Sequence, residues 1–410
     1  MAIIFLRIIK KNLLLFLNIS MLIISGCSSI NKNNNFLLSD DFNLEPPENV
    51  SKKEIASDVN YFIHFLQNGY GGRKFIPQKD MNKALSELTE LSNSATDLNV
   101  AELCRKIDEA LLAINDAHLM ARHNGKKCSS QREHVKEKIN IGKNIYQSEN
   151  PPWFKTDFLI RKKRVSIISI STLPKYEDEV WNGFLESVVD AKKSNGIIID
   201  LRGNGGGDDS MGLALADYLY GQDHPSNIDF QIKSKTPETQ AMLYNNYQIR
   251  ILKLKAKGNL IPDYLLKKRD EAKVNYDHAV VNKIEEEKVM STSGPSFNAK
   301  KGYNKPILIL TDRDCASSCE SIVEAFEGHP HAITIGTNTG GFCHFGNMGF
   351  VVLPSSKINI QMATDYWVYK DGRFVENIGY PPKIKLSDGQ NAMDEAKKLM
   401  TRLLFDKIHN

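Results

Sequence analysis

Two hydrophobic periods run along this chain, and the switch between them divides it. From residue 52 to 122 apolar positions recur every three or four residues. In "KKEIASDVNYFIHFLQNGY" they are Ile55, Val59, Phe62, Ile63 and Leu66, and "KDMNKALSELTELSN" and "VAELCRKIDEALLAI" repeat the pattern. This predicts three amphipathic helices, a small N-terminal bundle over 51–122 that ends in "NDAHLMAR". Residues 123–160 are polar and read as irregular. From 164 the period becomes two, and "RVSIISIS" predicts a strand. "YEDEVWNGFLESVVDAKKSN" predicts a helix, acidic in its first turn and basic near its end. "GIIIDL", 196–201, is a short apolar run ending in Asp, as in a strand buried on both faces. "RGNGGGDD" follows it, then "SMGLALADYLYG", a helix stopped at Gly221. Strand, loop and helix return in that order at 306–328, and "HAITIGTNTGG" adds a further strand and glycine turn. The alternation predicts an α/β fold with a largely parallel central sheet.

Residues 225–300 interrupt this core, 123–400, with a charged and mostly helical insertion. It reads equally as a solvated excursion or as a lid. The strands "GFVVLP" and "KINIQMA", the turn "YKDGRF" and a last amphipathic helix, "NAMDEAKKLMTRLLFDKI", complete the chain. There is no internal repeat.

Composition changes the picture at the N-terminus. Arg7, Lys10 and Lys11 precede an apolar run that ends at Cys27, the pattern of a secretory leader over 1–26. "ISGC" resembles the bacterial lipobox, which implies a lipid on Cys27 and a polar tether over 27–50. Ser28 resembles the sorting residue of lipoproteins sent to the outer membrane, so the expectation is an exported protein facing the periplasm. Of 53 basic residues, removal of those three leaves 50 against 49 acidic ones. Near-neutrality gives no support for nucleic acid binding or for an electrostatic membrane patch. Besides Cys27 there are five cysteines, Cys104, Cys128, Cys315, Cys319 and Cys343. An odd number leaves at least one free thiol, and spacing does not reveal the pairing.

Candidate chemistry gathers where parallel strands end, the usual place for ligands in such sheets. Gly203, Gly205, Gly206 and Gly207 crowd one loop. Four glycines can turn backbone N–H groups toward an anion, either a phosphate or an oxyanion. The Gly-x-Gly-x-x-Gly spacing is absent and no Walker lysine follows. The second loop is "DRDCASSCES". Ser317 or Ser318 there is a helix N-cap or a nucleophile, and Cys315 or Cys319 is a rival nucleophile. His329, His331, His344, Cys343, Cys315 and Cys319 could also be assembled into a zinc set, without standard spacing.

"GIIIDLRGNGGG", "CASSCES" followed by "TIGTNTGG", and "GRFVENIGYPPKI", in this order, resemble the tail-specific (C-terminal processing) peptidase family. That family includes the tricorn core protease and the interphotoreceptor retinoid-binding protein. "LLAINDAHLMAR" is similar to its Leu-x-Asp-x-His motif. The resemblance spans residues 50–390 and implies a crotonase-like (ClpP-like) ββα core. It selects Ser317, three residues before Glu320, as nucleophile. The processing branch takes a lysine as base about 25 residues later. Position 342 is Phe, and 332–350 hold no lysine. The tricorn-like branch takes a histidine and a glutamate, which match His118 and Glu376.

The resemblance therefore implies a serine endopeptidase without cofactor or metal. His118 is its base, Glu376 supports His118, and Gly205 or Gly206 with Ser318 holds the oxyanion. Tricorn carries a serine beside the histidine, where this chain has Ala117, so Asp116, a water or a direct contact must link His118 to Glu376. The gap between His118 and residue 164 is too short for a PDZ domain. Since the loops of Cys343 and of Cys315 and Cys319 should be neighbours, a bridge from Cys343 to one of them is expected. The retinoid-binding relative implies an alternative, a non-catalytic binder of a peptide or apolar ligand.

Overall fold

Why "GIIIDL" carries no polar position before its aspartate becomes plain in the computed structural model, which describes residues 36–129, 139–144, 146, 148, 150–290 and 301–406. The leader, Cys27 and the tether up to residue 35 lie outside the described residues. The elements belong to one compact unit, Leu38–Asn410. In chain order they are β1 (Asn49–Val50), α1 (Lys52–Asn68), α2 (Gln78–Ser94), β2 (Leu98–Asn99), α3 (Val100–Ala110), β3 (Met120–His123), β4 (Lys126–Lys127), β5 (Trp153–Ile160), β6 (Lys163–Ile170), α4 (Phe184–Ala191) and β7 (Gly196–Asp200). There follow α5 (Ser210–Tyr220), β8 (Ile228–Ser234), α6 (Pro237–Ala256), α7 (Asp263–Asn282), β9 (Glu286–Met290), β10 (Ile307–Thr311), α8 (Ser318–Ala325), β11 (Ala332–Gly336), β12 (Phe345–Val352), β13 (Asn359–Tyr369), β14 (Ile384–Lys385) and α9 (Ala392–Phe405).

The first sheet has the order β14-β11-β10-β7-β6-β5. Every neighbouring pair in it is parallel except β5 with β6. Side chains alternate between faces along a strand, and here both faces are covered. Ile197, Ile199, Ile307 and Ile309 pack with α4, α5 and α8. Ile198, Leu308 and Leu310 pack with α9 on the other face. A continuous apolar run is what such a strand requires, since each fully buried aliphatic side chain contributes about 1.5–3 kcal/mol.

The second sheet is antiparallel, in the order β4-β3-β13-β8-β9, with β12 also on β13. Four expectations change here. "HLMAR" does not close a helical region, because Met120–His123 is a strand paired with β13. The described part of the insertion, 225–290, is flanked by strands β8 and β9, and one face of α6 lines a large cavity. Within 123–160, Trp153–Ile160 is an eight-residue strand rather than irregular chain. As an edge strand its burial is too uneven to leave a clean two-residue period. The helix expected over 176–195 is confined to Phe184–Ala191, with a single 3-10 turn before it.

Buried Asp58 on α1 accepts the N–H groups of Ser355 (2.9 Å) and Ser356 (2.7 Å), tying the first helix to the β12–β13 turn. Among the described residues, no helix is long and apolar enough to cross a membrane.

Candidate active site

β7 and β10 are parallel neighbours, with Ile197 opposite Ile307, so the loops that follow them leave the sheet side by side. Asp312 takes the Gly203 N–H at 3.0 Å with each oxygen and the Cys315 N–H at 3.0 Å. Asn204 joins three segments. Its backbone carbonyl accepts from Ala316, its Nδ2 donates to Ile170, and its Oδ1 accepts the Gly206 N–H at 2.9 Å. Gly206 sits at φ +90°, and a Cβ there would stand 2.6 Å from the Ala316 carbonyl oxygen. Only glycine lets the two loops approach this closely.

Ser317 occupies the turn between β10 and α8 with φ +57° and ψ −126°, a backbone conformation costly for any residue but glycine. The turn resembles the sharp strand-to-helix elbows that push a nucleophile out of a sheet edge. Its surroundings are over-determined. The Ser317 N–H donates to Glu320 Oε2 at 3.0 Å, as does Phe342 N–H at 2.7 Å, while Glu320 Oε1 accepts from Gly341 N–H at 2.8 Å and from the Thr339 hydroxyl. Glu320 thus locks the serine turn to residues 339–342, a role that its sequence position beside Ser317 does not disclose.

The cysteine expectation is corrected. Cys315 pairs with Cys319, bracketing Ser317, and Cys104 pairs with Cys128, so Cys343 is the free thiol among the described residues. Cys343 does lie near this region, but Cys315 and Cys319 satisfy each other four residues apart on the same turn. No sulfur here suits attack. Two are oxidised, and burial, with the Glu320 and Glu376 carboxylates beside it, pushes the Cys343 thiol well above its ordinary value. The zinc set falls away for the same reason. His344 is also spent, with Nδ1 on the Trp367 carbonyl (2.9 Å) and Nε2 accepting the Val375 N–H (3.1 Å).

His118 is buried just before β3, its ring edge-on to Phe342 with 5.0 Å between centroids. Burial lowers it to about 4, with the Lys127 charge adding and a hydrogen bond to the Phe345 backbone opposing. Its Nδ1 has no hydrogen-bond partner among the described residues. Glu376 is buried and accepts three backbone N–H groups: Ala117 on Oε1 (2.9 Å), Cys343 (3.1 Å) and His344 (2.9 Å) on Oε2. Asp116 accepts the His118 N–H and the Tyr70 hydroxyl, each at 2.7 Å. One atom each of Asp116, His118 and Glu376 falls within 4.8 Å of the others. Where a serine would stand in tricorn, the Ala117 backbone N–H engages Glu376, which ties the histidine segment to the carboxyl group without touching the imidazole. Burial and the nearby Asp116 push the Glu376 carboxyl well above its usual range, against the pull of its three donors. Those three N–H groups form a cradle for the Glu376 carboxyl group and take up the lone pairs that a cation would need.

Ser317 and His118 line one cavity of about 1270 Å³, together with Gly205, Gly207, Ser318 and Phe342. The two candidate oxyanion donors in the glycine loop differ. Gly206 N–H is committed to Asn204, whereas among the described residues no acceptor engages Gly205 N–H or Ser318 N–H. Tyr70, Asn204 and Asp312 were not foreseen. The glycine pair after Tyr70 was the available signal, since Gly71 donates to the Ala363 carbonyl at 2.9 Å and seats the loop on β13.

Comparisons with known proteins agree with this architecture. A crystal structure of mature CPAF aligns with TM-score 0.54 at 14% identity, covering 87% of this chain and 98% of that one. A protein from Parabacteroides merdae ATCC 43184 aligns with TM-score 0.52 at 13% identity, covering 84% and 96%. At such identities the likeness concerns the fold. No curated protein sequence matches. The profile of peptidase family S41 matches residues 164–386, more than half of the chain and the whole run from β6 to β14. The chain belongs to peptidase family S41 and is a serine-type peptidase, a hydrolase.

Proposed function

We propose that this protein is an endopeptidase in which Ser317 attacks the peptide carbonyl and His118 takes its proton. The observation that carries the proposal is the meeting of Ser317 and His118 on one cavity, with Glu376 and Asp116 behind the imidazole. A serine hydroxyl needs a base within reach to attack near neutral pH. His118 is neutral there because it is buried, and a neutral imidazole is the form that accepts a proton. As it charges, the adjacent carboxylates stabilise the imidazolium, and the protonated ring then serves the leaving amine. Ser318 N–H, at the start of α8, and Gly205 N–H supply the oxyanion donors, with Gly206 supporting them through its bond to Asn204. No lysine stands at position 342 to replace the histidine. On this reading the chain belongs to the tricorn-like branch with a crotonase-like core. The Ile24–Cys27 motif would tether it to the outer membrane by a lipid on Cys27.

The test is labelling with a fluorophosphonate probe. Wild-type protein is expected to label at Ser317, with Ser317→Ala abolishing labelling and His118→Ala slowing it by at least about a thousandfold. Labelling that survives Ser317→Ala would refute the assignment. Folded wild-type protein that does not label would point to the binding alternative.

A further inference from the structure

The face of the second sheet that looks into the cavity carries two cations side by side. In the β3–β4 hairpin Arg122 stands directly opposite Lys127, and Arg122 is in turn opposite Asn359 on β13. Directly opposed side chains have Cβ atoms about 5 Å apart, and like charges in that position destabilise the pairing. Both cations line the cavity, as do Met120 two residues before Arg122 and Gln361 two residues after Asn359. Neither forms an ion pair among the described residues. Arg122 donates to the Gly125 carbonyl at 3.4 Å and to Met120 Sδ at 3.2 Å, poor exchanges for water. Asp108, whose charge acts on Arg122, also holds the Ala121 N–H at 2.7 Å through Oδ1. Burial lowers the Arg122 guanidinium, and the attraction of Asp108 opposes this without cancelling it.

The hairpin is not free to swing its charges apart. Cys128, next to Lys127, is bonded to Cys104 on α3. The pair also sits beside the chemistry, since His118, Met120 and Arg122 follow one another along the chain and Lys127 acts electrostatically on His118. Elsewhere on the cavity wall three acids are already engaged. Asp208 pairs with Lys175 at 3.1 Å, Glu320 holds four donors, and Asp365 accepts from Gln231, Asn347 and Thr364.

We propose that Arg122 and Lys127 form a carboxylate-binding subsite beside His118, so that the enzyme selects peptides carrying a carboxylate on that side of the scissile bond. A cation pair held opposite gains most from a ligand that bridges both charges, and a carboxylate can accept from guanidinium and ammonium together. The cleavage part rests on the endopeptidase reading, whereas the binding part does not.

The experiment therefore measures binding to full-length Ser317→Ala protein by fluorescence anisotropy, using three labelled peptides of one length. One bears glutamate with an amidated C-terminus, one bears glutamine with an amidated C-terminus, and one bears glutamine with a free C-terminal carboxylate. The glutamate peptide is expected to bind on the order of tenfold tighter than the amidated glutamine peptide, as for one charge-assisted pair. That advantage should shrink at high salt. Preference shown only by the free C-terminus would assign the same subsite to a terminal carboxylate. Arg122→Gln with Lys127→Gln should abolish the preference. Lys127→Gln alone, on an exposed side chain, should reduce it even if the double variant fails to fold. Equal binding of all three peptides, or a preference that survives Lys127→Gln unchanged, would overturn the subsite. Intact Ser317 labelling alongside that result would leave the peptidase reading untouched. Conversely, a carboxylate preference in a protein that never labels would remove the chemistry and keep the subsite.

Discussion

The two walls of the cavity are built by opposite means. On the parallel-sheet wall the nucleophile is positioned by chain close to it. β10, a six-residue turn and α8 follow one another, a disulfide closes Cys315 on Cys319, and Glu320 bonds back to the Ser317 N–H. On the antiparallel-sheet wall nothing near His118 in sequence suffices. Its segment is held by Glu376, which reaches the Ala117 N–H across 259 residues, and by Tyr70, which bonds to Asp116 from 46 residues away. The difference teaches that the nucleophile half of the site should tolerate loss of distant contacts, and the base half should not.

The sharpest way to break the comparison is Glu376→Ala. It strands three buried N–H groups, at about 1–3 kcal/mol each, and frees the histidine segment. Stability is expected to fall by at least about 3 kcal/mol and kcat/KM by about a thousandfold, with urea melts and peptide turnover as the measurements. A variant with native stability and activity would show that the base wall does not depend on this carboxylate.

The two disulfides give the next contrast. Cys104–Cys128 closes a separation of 24 residues and Cys315–Cys319 one of 4. Chain entropy alone assigns them about 3.5 and about 2 kcal/mol. Replacing the first pair with serines should lower stability more and leave Ser317 labelling of the folded fraction largely intact. Replacing the second should lower stability less and slow labelling at least about tenfold, because it loosens the turn that holds Ser317 in its costly conformation. Equal effects on labelling would erase the distinction between the walls.

Acidity separates them further. His118 is depressed to about 4, against an ordinary value of 6.5. As base it must be neutral, so the acid limb of kcat/KM should fall near pH 4, not near 6.5, with a plateau above it. The stability sign follows from the same depression. The unfolded chain binds this proton below 6.5 and the folded chain only near 4, so the contribution from burying a neutral ring is full above 6.5 and is lost as pH falls from there to about 4. An acid limb near 6.5 would mean that His118 is solvated in the working enzyme. The smallest effect is expected for Tyr70→Phe, which removes one hydrogen bond to Asp116 and should cost about 1 kcal/mol with a several-fold drop in kcat/KM.

Much of the parallel sheet was legible because its strands are buried on both faces, and burial writes itself as apolar runs, broken only at the last residue, in Gly196–Asp200 and Ile307–Thr311. The helices α1, α2, α3, α5 and α9 were legible through their three- and four-residue spacing. β5 and β3 were not. One is a half-exposed edge, and the other is four residues long, follows a helix and gains strand geometry only from β13. The disulfide pairing was misjudged because neighbouring loops offered Cys343 as a partner, and spacing cannot rank partners in space.

By itself, then, the amino-acid order determined which segments bury both faces, where glycines open a loop between β7 and α5, and which hydroxyl stands at a helix start. Those are properties of a few adjacent residues, set by local sterics and by the cost of exposing apolar surface. Tertiary structure alone decided that Glu376 takes the Ala117 N–H, that Asn204 claims Gly206, that Tyr70 reaches Asp116, and that Arg122 and Lys127 share one wall with His118. Each of these depends on which distant backbone groups meet, and a polar residue's sequence neighbours say nothing about the partner that will satisfy it once water is excluded.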